Sequence, residues 1–420
     1  MDSITNTQNQ ARTATLWRHP DFLKLWAGQT ISEVGSRITR TALPLAAVLV
    51  LGATPAQMGF MTAVGAASTL LFGLFAGVCV DRMRRRPIMI ASDLLRAAIL
   101  ISIPLAAAAH RLAMAQLYAV IALAGFCTVF FDVAYQSYLP SLVETEKLLE
   151  GNSKLAMSSA TAEIAGPSIT GVLVQLITAP MAILFDALSF LVSALSVVLI
   201  RRPELLHRDK HTSNHPIAGF RFVFSHPILR PLGFFSATAY FSLGFFGPLY
   251  TLYAIRDLHL GAAALGVAIG VGGVGNFIGA SLAPVTIRKF GLGPTFILAA
   301  LVLGGGSLFV PLAHGAAPLP FIFLVVQQLV GDSAWPIFMI NERTLRQTVA
   351  PGELLGRVNA AMQLLTAGMI PLGALVGGML AGSIGTRPTL YASVAGVLLS
   401  SLWLVFSPLR NMRVPEPGDA

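Results

Sequence analysis

Of the charged side chains inside the long apolar runs of this sequence, five could do chemistry at one site. Glu33, Arg37 and Arg40 follow i, i+4 and i+7, so a helix would carry all three on one face. Asp132 and Glu163 lie alone in two later runs. In lipid each such charge costs at least about 2.5–3.5 kcal/mol at a helix centre on insertion scales, which makes each a functional position by default. Burial favours the protonated form of a carboxylic acid. Glu163, Asp132 and Glu33 are therefore the candidates to exchange a proton. Arg37 and Arg40 are candidates to line a substrate cavity. If Glu33 pairs with Arg37, one positive charge is left over, and a wall of that sign suits an anionic or amphiphilic substrate. The plainer alternatives are a Glu33–Arg37 pair that stiffens its own helix and a Glu163 that only packs.

Other residues extend the candidate site. Tyr240 and Phe241 sit near the middle of an aromatic-rich run, and Gln327, Gln328 and Trp335 occupy a later one. They would line an apolar pocket for a drug-like compound. Asp93 and Arg96, at i and i+3, read as a structural pair, and Asp186 and Asp332 acquire no role from spacing alone.

The elements that position these side chains follow from composition. Of 420 residues, 55% are hydrophobic and 11% charged, about half the charged share of a soluble chain. The apolar residues form about twelve runs of bilayer length. They fall near 22–50, 56–80, 88–109, 114–139, 154–178, 180–200, 230–254, 261–287, 294–313, 319–340, 355–384 and 388–407. The fold class expected is thus an all-α integral membrane protein. The net charge of +9 belongs to no basic, aromatic-interleaved surface domain, so nucleic acid is not an expected partner. Cys79 and Cys127 both fall inside apolar runs, which argues against a disulfide framework or a metal site. Residues 1–20 are polar and lack the apolar core of a cleavable signal peptide.

Lys and Arg fix the expected orientation. Arg111, Arg256 and Arg387 fall in loops on one side, and Arg37, Arg40 and Arg96 lie within runs. The rest of the 28 Lys and Arg fall on the other side, which places both termini in the cytoplasm by the positive-inside rule. The sequence also repeats. Shifted by 205 positions, Leu149–Met157 (LEGNSKLAM) lies on Leu354–Met362 (LLGRVNAAM), matching at the Leu, Gly, Ala and Met positions. Two six-helix bundles, 21–200 and 230–407, are expected, with a tail at 1–20, a cytoplasmic linker at 201–229 and a second tail at 408–420. Repeats of this kind place a substrate site between the halves, near the midplane.

Two glycine-rich stretches need separate readings. Gly270–Gly275 formally matches the dinucleotide fingerprint G-x-G-x-x-G. It lies inside an apolar run rather than between a strand and a soluble helix, so helix packing is the better account. Gly166-Pro167-x-x-Thr170-Gly171 sits mid-helix, where its small residues permit close approach of a neighbour. The Gly266, Gly270, Gly273 and Ala280 stripe is the natural partner. No Walker-type phosphate loop is present, so an ion gradient would supply the work, and neither an enzyme nor a cofactor is expected.

At this point the residues resemble a family. Gly77-Val78-Cys79-Val80-Asp81-Arg82-Met83-Arg84-Arg85-Arg86 is similar to the loop signature of the major facilitator superfamily at Gly77, Asp81, Arg82, Arg85 and Arg86. It departs from that signature at Arg84, where the pattern has Gly. Ser92–Ala97, Phe131–Val143, Ala162–Gly171 and Asp186–Leu195 resemble the branch that contains macrolide efflux proteins and the enterobactin exporter. The resemblance implies that Asp81 faces the N-terminus of the eleventh span, and that Arg82, Arg85 and Arg86 tie inner helix ends together in one conformation. It also implies that Gly166, Pro167, Thr170 and Gly171 form a motif common in exporters. The reading is a monomeric, proton- or sodium-coupled exporter of small amphiphilic molecules, such as siderophores or antibiotics, in the inner membrane. A lipid transporter of the same fold, or a channel or membrane sensor, are the alternatives.

Overall fold

The computed structural model describes residues 15–80, 83–201 and 216–412, and all its regular elements are helical. The helices are α1 (Pro20–Leu49), α2 (Pro55–Val80), α3 (Arg85–Ala108), α4 (Met114–Leu142), α5 (Leu148–Ile177) and α6 (Ala179–Val198). After these come α7 (Pro216–Ser225), α8 (Leu229–Leu252), α9 (Ala262–Phe290) and α10 (Leu292–Ser307). The chain ends with α11 (Leu319–Val349), α12 (Gly352–Ala367), α13 (Met369–Ile384) and α14 (Thr386–Ser400). Among the described residues ten helices are long and apolar enough to cross a membrane, with α12 and α13 counted as one. Outside that set, α1 and α2 have 30 and 26 residues. The charged side chains of α1 dilute its apolar character, which is the physical reason it stands apart.

Turn chemistry joins the helices at similar places along the chain. Gly385, between α13 and α14, has φ 95°, a left-handed conformation that costs glycine little. Its counterpart between α5 and α6 is Thr178, held at φ 108° without that freedom.

Helix packing follows small residues. Within the first six helices, α1 packs on α5 and α6, α3 on α4 and α6, and α2 on α4. In the second set, α9 packs on α11, α10 on α11, and α8 on α13 and α14. The two sets meet where α5 packs on α9 and α2 on α13. A Cβ added at Gly266 of α9 would stand 2.8 Å from the Gly171 Cα of α5, and one at Gly59 would stand 3.1 Å from the Gly378 Cα. Gly270 and Gly273 likewise pack against Ile164. Glycine brings these backbones together as it does in membrane helix pairs.

The hydrophobic core is divided. At the end of the molecule distant from the chain termini one cluster is continuous across both sets, from Leu45, Met58 and Ile183 to Leu249, Leu265 and Leu390. At the other end there are two separate clusters, one around Phe22, Tyr138 and Met89 and the other around Phe235, Phe296 and Met362. The fold is closed at one end and parted at the other.

At the parted end each set carries a clasp. A short turn, Leu16–Arg18, docks on the start of α5, where Glu150 accepts hydrogen bonds from Thr15 Oγ1 (2.7 Å) and the Leu16 amide (3.1 Å). Leu16 and Phe22 pack over Gly151. In the second set α7 docks on α12, with Gly219 against the Arg357 carbonyl. This helix lies within the 201–229 stretch expected to be a loop. Its apolar residues, including fully buried Val223, fold it onto the second core cluster.

Candidate functional site

The centre of the site is Arg37. One terminal nitrogen donates to Glu33 Oε1 at 2.9 Å, and the other pairs with Glu163 Oε2 on α5. Ser159 Oγ adds a 3.1 Å bond to the same Glu33 oxygen. The guanidinium therefore bridges α1 and α5, which an i, i+4 pair within α1 alone would not do. Gly166 makes the bridge possible, because a side chain there would collide with Arg37 Cβ. The mid-helix motif thus seats an arginine on one face while it packs on α9 with the other. Thr170 Oγ1 donates back to the Gly166 carbonyl at 2.7 Å.

Beside this bridge lies a cavity of about 320 Å³ lined by Gln29, Thr30, Glu33, Asp132, Tyr135 and Ser159, among others. Arg40 stands within electrostatic reach of Glu33, Asp132 and Glu163. Among the described residues it forms no ion pair of its own. Three carboxylates thus face two guanidinium groups. The expectation of a net positive wall counted Glu33 alone; Glu163 is also on Arg37, and Asp132 lines the same cavity.

The second set contributes a different surface. Asp332 of α11 points at Gly272 of α9. Tyr240 is brought to Trp335, with ring centroids 5.1 Å apart, and its hydroxyl donates to Met339 Sδ at 3.1 Å. Phe241 does not join them. It lies in a separate groove with Met369, Leu399 and Trp403, because consecutive helical residues point about 100° apart. Gln327 and Gln328 are also displaced from the expected pocket. Both are buried; Gln328 Nε2 donates to the Ile269 carbonyl of α9 at 3.3 Å, and Gln327 Nε2 lies 3.4 Å from Asp332 Oδ1. Gln328 fastens α11 to the Gly272 and Gly275 stripe of α9, which leaves the fingerprint-like glycines as packing residues.

The basic loop resolves in part. Asp81 and Arg82 lie outside the described residues, and Gly77 is known only by its place in α2. Arg86 donates to the Val197 and Val198 carbonyls at 3.1 and 2.7 Å, and Lys24 donates to the Leu199 carbonyl at 2.9 Å. These cations cap the end of α6, where carbonyls are unpaired and the helix dipole is negative. Arg85 is buried.

Two buried ion pairs stand outside the cavity. Asp93 pairs with Arg96, whose guanidinium is held between the Phe131 and Phe190 rings at 4.4 and 4.1 Å. In the second set Glu342 accepts from Arg346 at 2.8 Å, next to fully buried Asn341, whose amide atoms have no hydrogen-bond partner among the described residues. Arg343 and Arg346 lie beyond the apolar run expected at 319–340. The i, i+4 spacing of Glu342 and Arg346 was the signal that α11 continues to Val349.

The family model described as Major Facilitator Superfamily matches residues 25–374, most of the chain. The protein belongs to the major facilitator superfamily. It is a multi-pass membrane transporter and not an enzyme. Among proteins it is similar to, the Multidrug efflux pump Tap of Mycolicibacterium fortuitum is 27% identical over 407 residues, covering 93% of this chain and 96% of that protein. Macrolide efflux protein A of Streptococcus pyogenes is 23% identical over 408 residues, with 93% and 96% covered. Among solved structures, a bacterial homologue of the iron transporter ferroportin in its inward-facing state matches with a TM-score of 0.73 and 21% identity. That match covers 93% of this chain and 99% of the other. It carries the fold of this major facilitator protein and nothing of its cargo.

Proposed function

We propose that this transporter exports small amphiphilic molecules, cationic ones foremost, across the inner membrane in exchange for protons. Twelve spans in two six-helix lobes, with both termini cytoplasmic, would carry the cycle by alternating access. The observation that carries this reading is the Arg37 bridge between Glu33 and Glu163 at the edge of a carboxylate-lined cavity. In this reading the parted end of the molecule opens to the cytoplasm. A cationic group entering there competes with Arg37 for Glu33 and Glu163 and with any proton those carboxylates hold. After the lobes rock and the cavity opens outside, protonation of the carboxylates weakens their hold on the substrate cation and releases it. Substrate and proton are mutually exclusive at the same oxygens, which is the condition for antiport. Only a free-energy difference between the two loaded states can drive the exchange.

The charge count moves the expected cargo from anionic siderophores toward cationic and neutral drugs. The efflux names of the two relatives support drugs as the cargo. The Tyr240–Trp335 pair in the opposite lobe would take the apolar body of such a molecule.

The test uses inverted membrane vesicles energised to an acid interior, with a lumenal pH probe. Adding rhodamine 6G or erythromycin is expected to alkalinise the lumen, with no response in vesicles lacking the protein. Silence with the protein shown to be inserted would overturn export by proton exchange. Substrate accumulation driven by a sodium gradient alone would replace the proton with sodium.

A further inference from the structure

A second cavity, about 300 Å³, lies on the far side of the α1–α5 seam from the charged one. Its walls are mostly apolar: Trp26 and Val34 from α1, Met157, Ala162 and Ala165 from α5, and Trp17 from the clasp. The two cavities share Thr30 and Ser158 as lining residues, so one pair of hydroxyls separates them. Helical phase fixes which way the second cavity faces. Thr161 and Ala165 each stand two residues from Glu163, hence about 160° around α5 from the face that meets the charged cavity. A third face of α5, with Ile164, Ser168 and Gly171, is taken up by α9. The remaining face, in phase with Thr161 and Ala165, carries Val172 and Leu176 farther along α5, 45% and 74% exposed. The groove thus opens toward the lipid, in the leaflet nearest the chain termini.

The rim and the dividing wall have properties of an entry. Lys154 Nζ lies 3.9 Å over the Trp17 ring, and Trp17 meets Trp26 edge-on at 4.9 Å, an arrangement suited to the membrane–water boundary. Glu150 neutralises Lys154 at 3.2 Å, so the rim does not repel a cation. Between the two cavities the seam is closed by a 3.0 Å contact between the Thr30 and Ser158 hydroxyls, with the Ser159–Glu33 bond one residue farther along α5. Thr30 Oγ1 also lies 2.8 Å from the Trp26 carbonyl of its own helix. A hydroxyl has one proton, so Thr30 can keep its bond to the Trp26 carbonyl within α1 when the seam opens.

We infer that this groove is a membrane-side binding site for the transported amphiphile. It takes an aromatic or aliphatic body from the bilayer and passes the cationic head between Thr30 and Ser158 to Glu33 and Asp132. The inference rests on the exporter reading for the identity of its occupant.

The experiment uses the full-length protein in proteoliposomes and an aryl-azide derivative of rhodamine 6G dissolved in the bilayer. On illumination, mass spectrometry is expected to find adducts at Met157 or Thr161. Excess rhodamine 6G should reduce them at least fivefold. Ala165→Trp, which fills the groove without touching the carboxylates, should reduce labelling and rhodamine 6G transport by a similar factor, while the more polar ethidium is still exported. A second variant, Thr30→Cys with Ser158→Cys, should lose rhodamine 6G transport when oxidised and recover it on reduction, with the wild type oxidised in parallel as a control for Cys79 and Cys127. Transport by the wild type without competable labelling at these positions, or unchanged rhodamine 6G flux in the cross-linked variant, would overturn the groove. Competable labelling without transport of any probe would leave the groove as a binding site and overturn the exporter reading instead.

Discussion

The two halves of this transporter share an architecture and divide its chemistry. In the first half, charges converge: Glu33, Arg37, Arg40, Asp132 and Glu163 meet at one place, and Arg37 joins two helices. In the second half the corresponding region presents rings, with Tyr240 against Trp335, and its Asp332 turned to Gly272 of α9. Its own ion pair, Glu342–Arg346, is buried away in α11. Pseudo-symmetric folding therefore does not impose pseudo-symmetric function. Coupling belongs to the first half in this account, and recognition of the apolar body to the second.

Substitutions sharpen that contrast, beginning with the largest effect. Arg37→Met leaves Glu33 and Glu163 as neighbouring carboxylates without their shared cation. Both carboxylates are more than a third exposed, so the bridge is worth only about 0–1 kcal/mol of stability; the loss expected is of coupling, with gradient-driven flux abolished in vesicle assays while the melting temperature in detergent changes little. The same substitution at Arg346 leaves Glu342 unpaired and should lower the melting temperature in detergent, with coupling intact in whatever protein remains folded. Equal losses of coupling from both changes would erase the distinction between the halves.

A smaller loss is expected for Gly266→Leu. The added side chain meets the Pro167 carbonyl and the Gly171 backbone, and overpacking costs about 1–3 kcal/mol. Thermal unfolding in detergent should show the destabilisation, and transport should fall because α5 and α9 can no longer approach. Trp335→Ala should have the mildest effect. The Michaelis constant for rhodamine 6G should rise several-fold while protons exchanged per substrate stay constant, since one aromatic contact is worth about 0.5–1.5 kcal/mol beyond its area. A change in that ratio would put coupling in the second half after all.

Much of this contrast was legible in the sequence, and the limits of reading have physical causes. The apolar runs announce helices because a bilayer demands about 20 residues each, and Glu33–Arg37 is legible because i, i+4 is a local rule. The partnership of Arg37 with Glu163 is tertiary: it joins α1 to α5 across most of the first half, and no spacing encodes it. The sign of the cavity was misread for that reason, since Arg37 was counted against one carboxylate only. Phe241 and the two glutamines were misplaced because proximity along the chain says little about which helix face meets a pocket. Glu342–Arg346 was missed although its spacing was visible, because charge at the end of an apolar run looks like the start of a loop. The groove at Trp17 and Trp26 depends on a clasp that no local pattern foretells.

The central claim is that Glu163, held by Arg37, couples protons to transport, with Glu33 and Asp132 sufficient to hold the substrate cation without it. The most direct measurement compares two activities of Glu163→Gln in proteoliposomes: exchange of labelled for unlabelled rhodamine 6G with no proton gradient, and efflux driven by such a gradient. The account predicts that exchange persists and gradient-driven efflux is lost. Full gradient-driven efflux in the inserted variant, or loss of both activities together, would contradict it.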